Sequence, residues 1–514
     1  MNKIFKVIWS KSKQCYIVVS EIAKNKTGKK KIVVAGIFAA LAMMGNVASV
    51  EASIPEGTTS DPLGLAIGAL TKSGSNQSIA IGYKSEAKGT NASGGGGDPG
   101  TAVGAGANAT AAGTSAFGLS AKASGTYATA IGFKSTVSGN DGMAIGASSK
   151  ASKQGASAMG PGARAYGNGA ISLGYQALSG ANTYTGAANS AAPFDDKDAT
   201  INAYNKWGDA AIGLRAVATG GNATALGRSA SATAANAIAI GGGNGDSATD
   251  NTEKTEATGE KATAIGYNAK AVTGNDTAIG AGVTARGGAS TMIGYSSTVT
   301  GNQAFGGGSG LSVAGGGSVV LGYNSSTTSD KSIAIGHTTN ATQANTVAIG
   351  ASATAGGLNS IAMGNGASIT APTAGTTFGG QDSIAMGTGA SANQHSSVSV
   401  GLGASSDGVR SVAIGPRASA TDEDTIAIGT GGVGADKNNT TAGNNGGTVT
   451  NTSFNGITGV NLYYGAKSVG QQSMAIGYIA NAKDSGIAIG NRAISDGGGG
   501  TAMGKSVLSQ NGGI

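Results

Sequence analysis

From Leu63 onward the chain alternates branched apolar residues with small ones in a short phrase that closes on glycine. Ser332-Ile333-Ala334-Ile335-Gly336 and Thr346-Val347-Ala348-Ile349-Gly350 are clear copies. The closing glycines recur every 14 residues, as at Gly104, Gly118, Gly132, Gly146, Gly160 and Gly174. Looser copies at Gly68, Gly82, Gly306, Gly477, Gly490 and Gly504 bring the series to 26 phrases. A fixed period sustained over hundreds of residues marks a repeat architecture. Within the phrase the apolar residues lie two apart, which is strand rather than helix periodicity.

Such a strand points its branched residues to one face and Ser, Ala and Gly to the other. The rest of the period, as in Asn268-Ala269-Lys270-Ala271-Val272-Thr273-Gly274-Asn275, reads as a second short strand ending in a Gly-Asn turn. Two strands and two turns make one coil of a β-roll. Parallel stacking at roughly 4.8 Å per coil gives a rod on the order of 120 Å long. The expectation at this stage is a roll that buries Ile and Ala inside. Its flat Ser/Ala/Gly face would then pack against other copies of the chain.

Composition supports a thin core. Of 514 residues 93 are Gly, only 11% are charged and 4% aromatic, too few large apolar side chains for a thick globular interior. The net charge of +7 is misleading, because residues 1–52 hold nine Lys and two Glu. The rest is balanced, with 24 basic and 24 acidic residues, which speaks against a nucleic-acid-binding body. Cys15 is the only cysteine, so no disulfide and no Cys-ligated zinc site is expected in the repeats.

The N-terminal segment has its own pattern. Lys29-Lys30-Lys31 precedes an apolar run from Ile32 to Met44, and Val50-Glu51-Ala52 supplies small residues for a cleavage site after Ala52. The run is shorter than the ~20 residues of a transmembrane helix. The 28 residues before the lysine cluster, beginning Met1-Asn2-Lys3-Ile4-Phe5-Lys6, resemble the extended signal peptide region of large autotransporters.

Insertions interrupt the period. The step is 39 residues between Gly174 and Gly213 and 48 between Gly429 and Gly477, with smaller surpluses at Gly82–Gly104, Gly241–Gly266 and Gly364–Gly387. In a solenoid, insertions are expected as loops at a fixed edge, often the binding side. The first large one holds Phe194, Tyr204 and Trp207; the second holds Phe454, Tyr463 and Tyr464. Aromatics are favoured contact anchors, so these six are the candidate binding residues. The plainer reading is that they pack the insertion onto the roll.

Other motifs carry less. Gly499-Gly500-Thr501-Ala502-Met503-Gly504-Lys505-Ser506 fits a phosphate-binding loop formally, but it is a repeat phrase with no helix pattern after it. Gly242-Gly243-Asn244-Gly245-Asp246 occurs once, where calcium-binding repeats need tandem copies. Asp195-Asp196-Lys197-Asp198 and Asp422-Glu423-Asp424 offer oxygen ligands but read first as solvated loops. His337 and His395 lie far apart in sequence, and His337 occupies a slot after the glycine that varies freely between coils. No catalytic, cofactor or metal residue is therefore expected.

The motif x-[IV]-A-[IM]-G-x-x-A-x-A behind an extended signal resembles the head of trimeric autotransporter adhesins. Ser411-Val412-Ala413-Ile414-Gly415-Pro416-Arg417-Ala418-Ser419-Ala420 and Asp382-Ser383-Ile384-Ala385-Met386-Gly387 are good copies. The resemblance implies a left-handed parallel β-roll in a homotrimer, displayed outside the bacterial outer membrane. It also implies adhesion to host matrix such as collagen or fibronectin, to host cells or to other bacteria. Members of this family continue into a stalk and a C-terminal membrane anchor, whereas this sequence stops at Ile514 within repeats. It is therefore expected to be an N-terminal piece of a longer protein.

The expected organisation is an extended signal over 1–52, a lead-in over 53–62 and roll repeats over 63–180. An insertion loop over 181–209, repeats over 210–429, a second loop over 430–472 and repeats over 473–514 follow. The pattern also admits a passive spacer or surface coat. An ice-binding solenoid fits less well, since the threonines are scattered among the coils, and a β-helical lyase least, since such enzymes use larger coils and clustered acidic and basic site residues.

Overall fold

The computed structural model describes residues 64–74, 77–90, 98–180, 208–243, 253–372, 379–430, 466–510 and 512–514. It also describes the strand backbones of 5–10, 15–20, 183–184, 199–200, 448–454 and 457–463. Among these residues every regular element is a strand.

The 14-residue period folds into one coil with two short strands. In one coil Ile333–His337 belongs to the first sheet and Asn340–Ala341 to the second, and Val347–Ile349 returns to the first. Like pairs with like in parallel: Ala334 sits opposite Ala348, and Asn340 opposite Thr354. The ladders continue coil upon coil into two sheets of 26 strands each, a parallel β-solenoid. The Gly274-Asn275 turn is present as read, with Asn275 at φ 60°.

The core reverses the expected sides. In each phrase the central alanine is buried, as at Ala80, Ala334 and Ala348 (all 0% exposed), while the flanking branched residues face outward. Four small side chains fill the section of a coil, for example Thr339, Ala341, Thr346 and Ala348. The alternation of faces was correctly read, but the small face is the inside. With the facing sheets so close, a large side chain enters only where a neighbour gives room, as Ile369 does beside Gly380, so most branched residues remain for a partner.

Most buried hydroxyls in this core are satisfied by turn carbonyls, the Thr327 hydroxyl being an exception. Ser325 donates to the Gly336 carbonyl (2.9 Å) and accepts from the Thr339 amide (3.0 Å), and Thr339 in turn donates to the Gly350 carbonyl (2.6 Å). An unpaired hydroxyl there would cost free energy, and other coils bond theirs to their own turn, as Ser135 does to the Gly132 carbonyl and Ser149 to that of Gly146.

The phrase glycine is required twice over. Gly350 has φ +127°, and a Cβ on it would lie 2.5 Å from the Gly364 carbonyl oxygen of the next coil. One register expectation is corrected. Gly308, not Gly306, is the phrase glycine of its coil, since Gly308 pairs with Gly294 and Gly322. Gly306 takes the alanine position, opposite Met292.

The insertions leave the roll at two edges rather than one. Those between Gly82 and Gly104, Gly174 and Gly213, and Gly364 and Gly387 follow a second-sheet strand. Those between Gly241 and Gly266 and between Gly429 and Gly477 follow a first-sheet strand. They are also not wholly loops. Thr183–Tyr184 pairs antiparallel with Ala199–Thr200, and Thr448–Phe454 with Ile457–Tyr463.

Candidate functional site

Because the core takes mainly small residues, the branched residues that flank the central alanine of a phrase line the outer face of the first sheet. Ile131, Ile171, Leu173, Leu226, Ile293 and Ile414 are between 38% and 43% exposed in the single chain. Parallel register stacks these side chains coil on coil, as Ile279 on Ile293 and Ile335 on Ile349. The result is an apolar column along the rod, on the order of 120 Å long and interrupted at Gly307. Beside it runs a second column that is apolar in some coils and Thr or Ser in others, as at Ser115, Thr129, Thr263, Thr277 and Thr291. Contiguous apolar patches beyond a few hundred Å² mark interaction surfaces.

The residue after the phrase glycine forms a second feature. Tyr83, Phe133, Tyr175, Tyr267, Tyr295 and Tyr323 occupy this slot, and all are exposed. His337 follows Tyr323 by one coil, and their rings stack at 5.2 Å with 21° between planes. The column is legible in the repeat itself, since each of these rings directly follows a phrase glycine.

The aromatics expected in the insertions fare unevenly. Phe454 ends one hairpin strand opposite Ile457, and Tyr463 ends the other opposite Thr448. Phe194, Tyr204, Trp207 and Tyr464 lie outside the described residues, as do Ala52 and Asp195–Asp198.

Polar clusters serve the fold. Asp422 accepts from the Gly470 amide (2.6 Å), while Arg410 binds Asp424 (2.7 Å) and Glu423. That pairing holds the Arg410 guanidinium protonated and the Asp424 carboxyl below its ordinary range, chiefly through the hydrogen bond between them. Among the described residues no three His, Cys, Asp or Glu side chains converge as a metal cluster. Ser396 lies 2.9 Å from His395 Nδ1, whose Nε2 is 3.5 Å from Asp382. That file sits on a turn with its carboxylate 43% exposed, and it lacks the buried carboxylate that orients a catalytic histidine. The glycine-rich segment before Lys505 is a coil strand, Thr501–Met503, with another strand, Leu508–Gln510, beyond it, so it has no helix N-terminus to cradle a phosphate.

Comparison with known families fits this geometry. The description "YadA head domain repeat" matches residues 65–93, 123–149, 151–177, 211–244, 257–282, 314–339, 341–367, 379–404 and 406–431. The description "Extended Signal Peptide of Type V secretion system" matches residues 1–49. The chain belongs to the trimeric autotransporter adhesins. No curated protein matches the chain as a relative. In an autotransporter adhesin the lysine-rich leader directs secretion and surface display, and head coils of this kind are in general non-enzymatic. The matched head segments all lie within the stacked coils, so the apolar stripe and the aromatic column are properties of the head itself.

Proposed function

We propose that this chain is an adhesin head acting as a homotrimer at the bacterial outer membrane, released from its signal after Ala52. The observation that carries the reading is the half-exposed apolar column of the first sheet, kept in nearly every coil and repeated on a family head. Three copies burying that column against one another would leave the second sheet and the turns facing outward. Weak contacts repeated along the rod and across three chains then combine into high avidity.

Host matrix proteins such as collagen or fibronectin, host cells and neighbouring bacteria are the partners this reading favours. Binding of the exported chain to immobilised collagen and fibronectin, and mixing of cells that display it, test it. Deleting 181–209 and 430–472 separately identifies an insertion-borne site by its loss. A chain that binds neither matrix nor cells is a passive spacer, and the adhesin reading then fails.

A further inference from the structure

We propose that the outward face of the second sheet between Lys122 and Arg164 docks a linear sulfated polysaccharide. The charge balance of the repeats hides a strong segregation. Residues 101–193 hold five basic side chains, Lys122, Lys134, Lys150, Lys153 and Arg164, against the single acid Asp141.

The fold places them together. Lys122, Thr136, Lys150 and Arg164 occupy one column, paired strand to strand in parallel register. Coil spacing therefore sets Lys150 about 5 Å from Arg164 and about 10 Å from Lys122 along the rod. Exposed Lys134 and Lys153 flank the column on the two turns. Beneath it Ala123, Val137, Ala151 and Ala165 are fully buried, so the cations stand on a rigid base.

The chemistry between the cations suits a glycan. Ser124, Thr136 and Ser138 interleave with them on the same face and offer hydroxyls to sugar hydroxyls. Single-stranded nucleic acids are gripped by aromatic platforms as well as charge. On the column itself the ring is Tyr166, 2% exposed under the Lys150 ammonium 5.7 Å away. On the flanking turn the exposed Phe133 is already engaged by the Lys134 ammonium at 5.1 Å, so the strip offers no row of open rings. Sulfate esters along a chain match cations at fixed coil steps, and charge attraction also speeds encounter. Farther along, from Thr284 to Ser419, the same column holds only Ser, Thr and Asn, so the charge is local.

This inference rests on the adhesin reading, because the strip is open only if the opposite sheet is the one that trimerises. The test uses the exported chain with immobilised heparin as sulfated probe, unsulfated hyaluronan and double-stranded DNA as comparators, and solution mass in parallel. Heparin binding that weakens with salt and falls at least tenfold in K122Q/K150Q/R164Q, while K270Q keeps it, is the expected result. These outward side chains leave the core intact, and single R164Q and K122Q variants, each with a partial loss, guard against misfolding. A wild-type chain that ignores heparin, or a triple variant that binds unchanged, overturns the proposal. DNA bound as tightly as heparin and lost in the same variant overturns the glycan assignment. Trimer mass retained alongside failed heparin binding sinks the strip alone; a monomeric wild type counts against the adhesin reading instead.

Discussion

Met292 and Gly306 are complementary across adjacent coils: the methionine side chain fills the space that a Cβ on the glycine would claim. The Met292 Cε would stand 2.3 Å from such a Cβ, and Met292 itself is fully buried at a position held by alanine in most coils. A core one methyl thick thus admits a long side chain only where its neighbour has none. Gly306→Ala overpacks this site and is expected to cost about 1–3 kcal/mol. Met292→Ala leaves a cavity of comparable or larger cost. The double variant restores the alanine pair of other coils, so it should be more stable than either single one. Urea unfolding of the four chains measures the coupling, and simple additivity would refute the fit.

The phrase glycine and the turn glycine differ in kind. Gly350 is at φ +127° against a backbone oxygen, while Gly366 is at φ +64° with open space around its Cβ position. Gly366→Ala should cost only the left-handed penalty of about 1–2 kcal/mol. Gly350→Ala adds a collision that only coil separation can relieve, so its loss in thermal stability should be clearly larger. Equal losses would mean that the coils slide apart easily.

The two faces of a first-sheet strand can be told apart by charge. Ile293 is 41% exposed, whereas Ala278, in the strand beneath it, is 0% exposed. Ile293→Asp should preserve the far-UV β spectrum while light scattering falls from three chain masses to one. Ala278→Asp should disrupt folding itself, because it buries a carboxylate without a built partner. If Ala278→Asp instead dissociates a folded chain, the small-residue face is the contact face after all.

Lys467 gives a pH signature at the coil that follows the second insertion. Half-buried, its ammonium is pulled below the ordinary lysine range by burial, with Asp422 opposing. Between that lowered value and the ordinary one, the unfolded chain holds the proton that the native chain has released. Stability therefore rises with pH across this alkaline window. Lys467→Gln should remove that part of the rise, read as the difference between the two chains' urea midpoints from pH 8 to 10.5. Parallel pH profiles would show that Lys467 is solvated in the native state.

Period, strand count and the two-strand coil were all legible in the residues, because a ladder of identical pairings demands the same side chain every 14 positions. The leader was legible too, since export signals are read as linear patterns of charge and apolarity. What alternation could not supply was the sign of each face. Ile-Ala-Ile reads equally well with either side inward, and only the closeness of the two sheets decided for alanine. Gly308 rather than Gly306, by contrast, was legible in the residues, since it lies 14 positions from both Gly294 and Gly322. The edges from which insertions leave, and the gathering of Lys122, Lys150 and Arg164 into one column, depend on how coils stack. The sequence by itself determined the repeat and its local conformation, which depend on neighbours along the chain. The tertiary structure decided inside from outside, which depends on the distance between sheets.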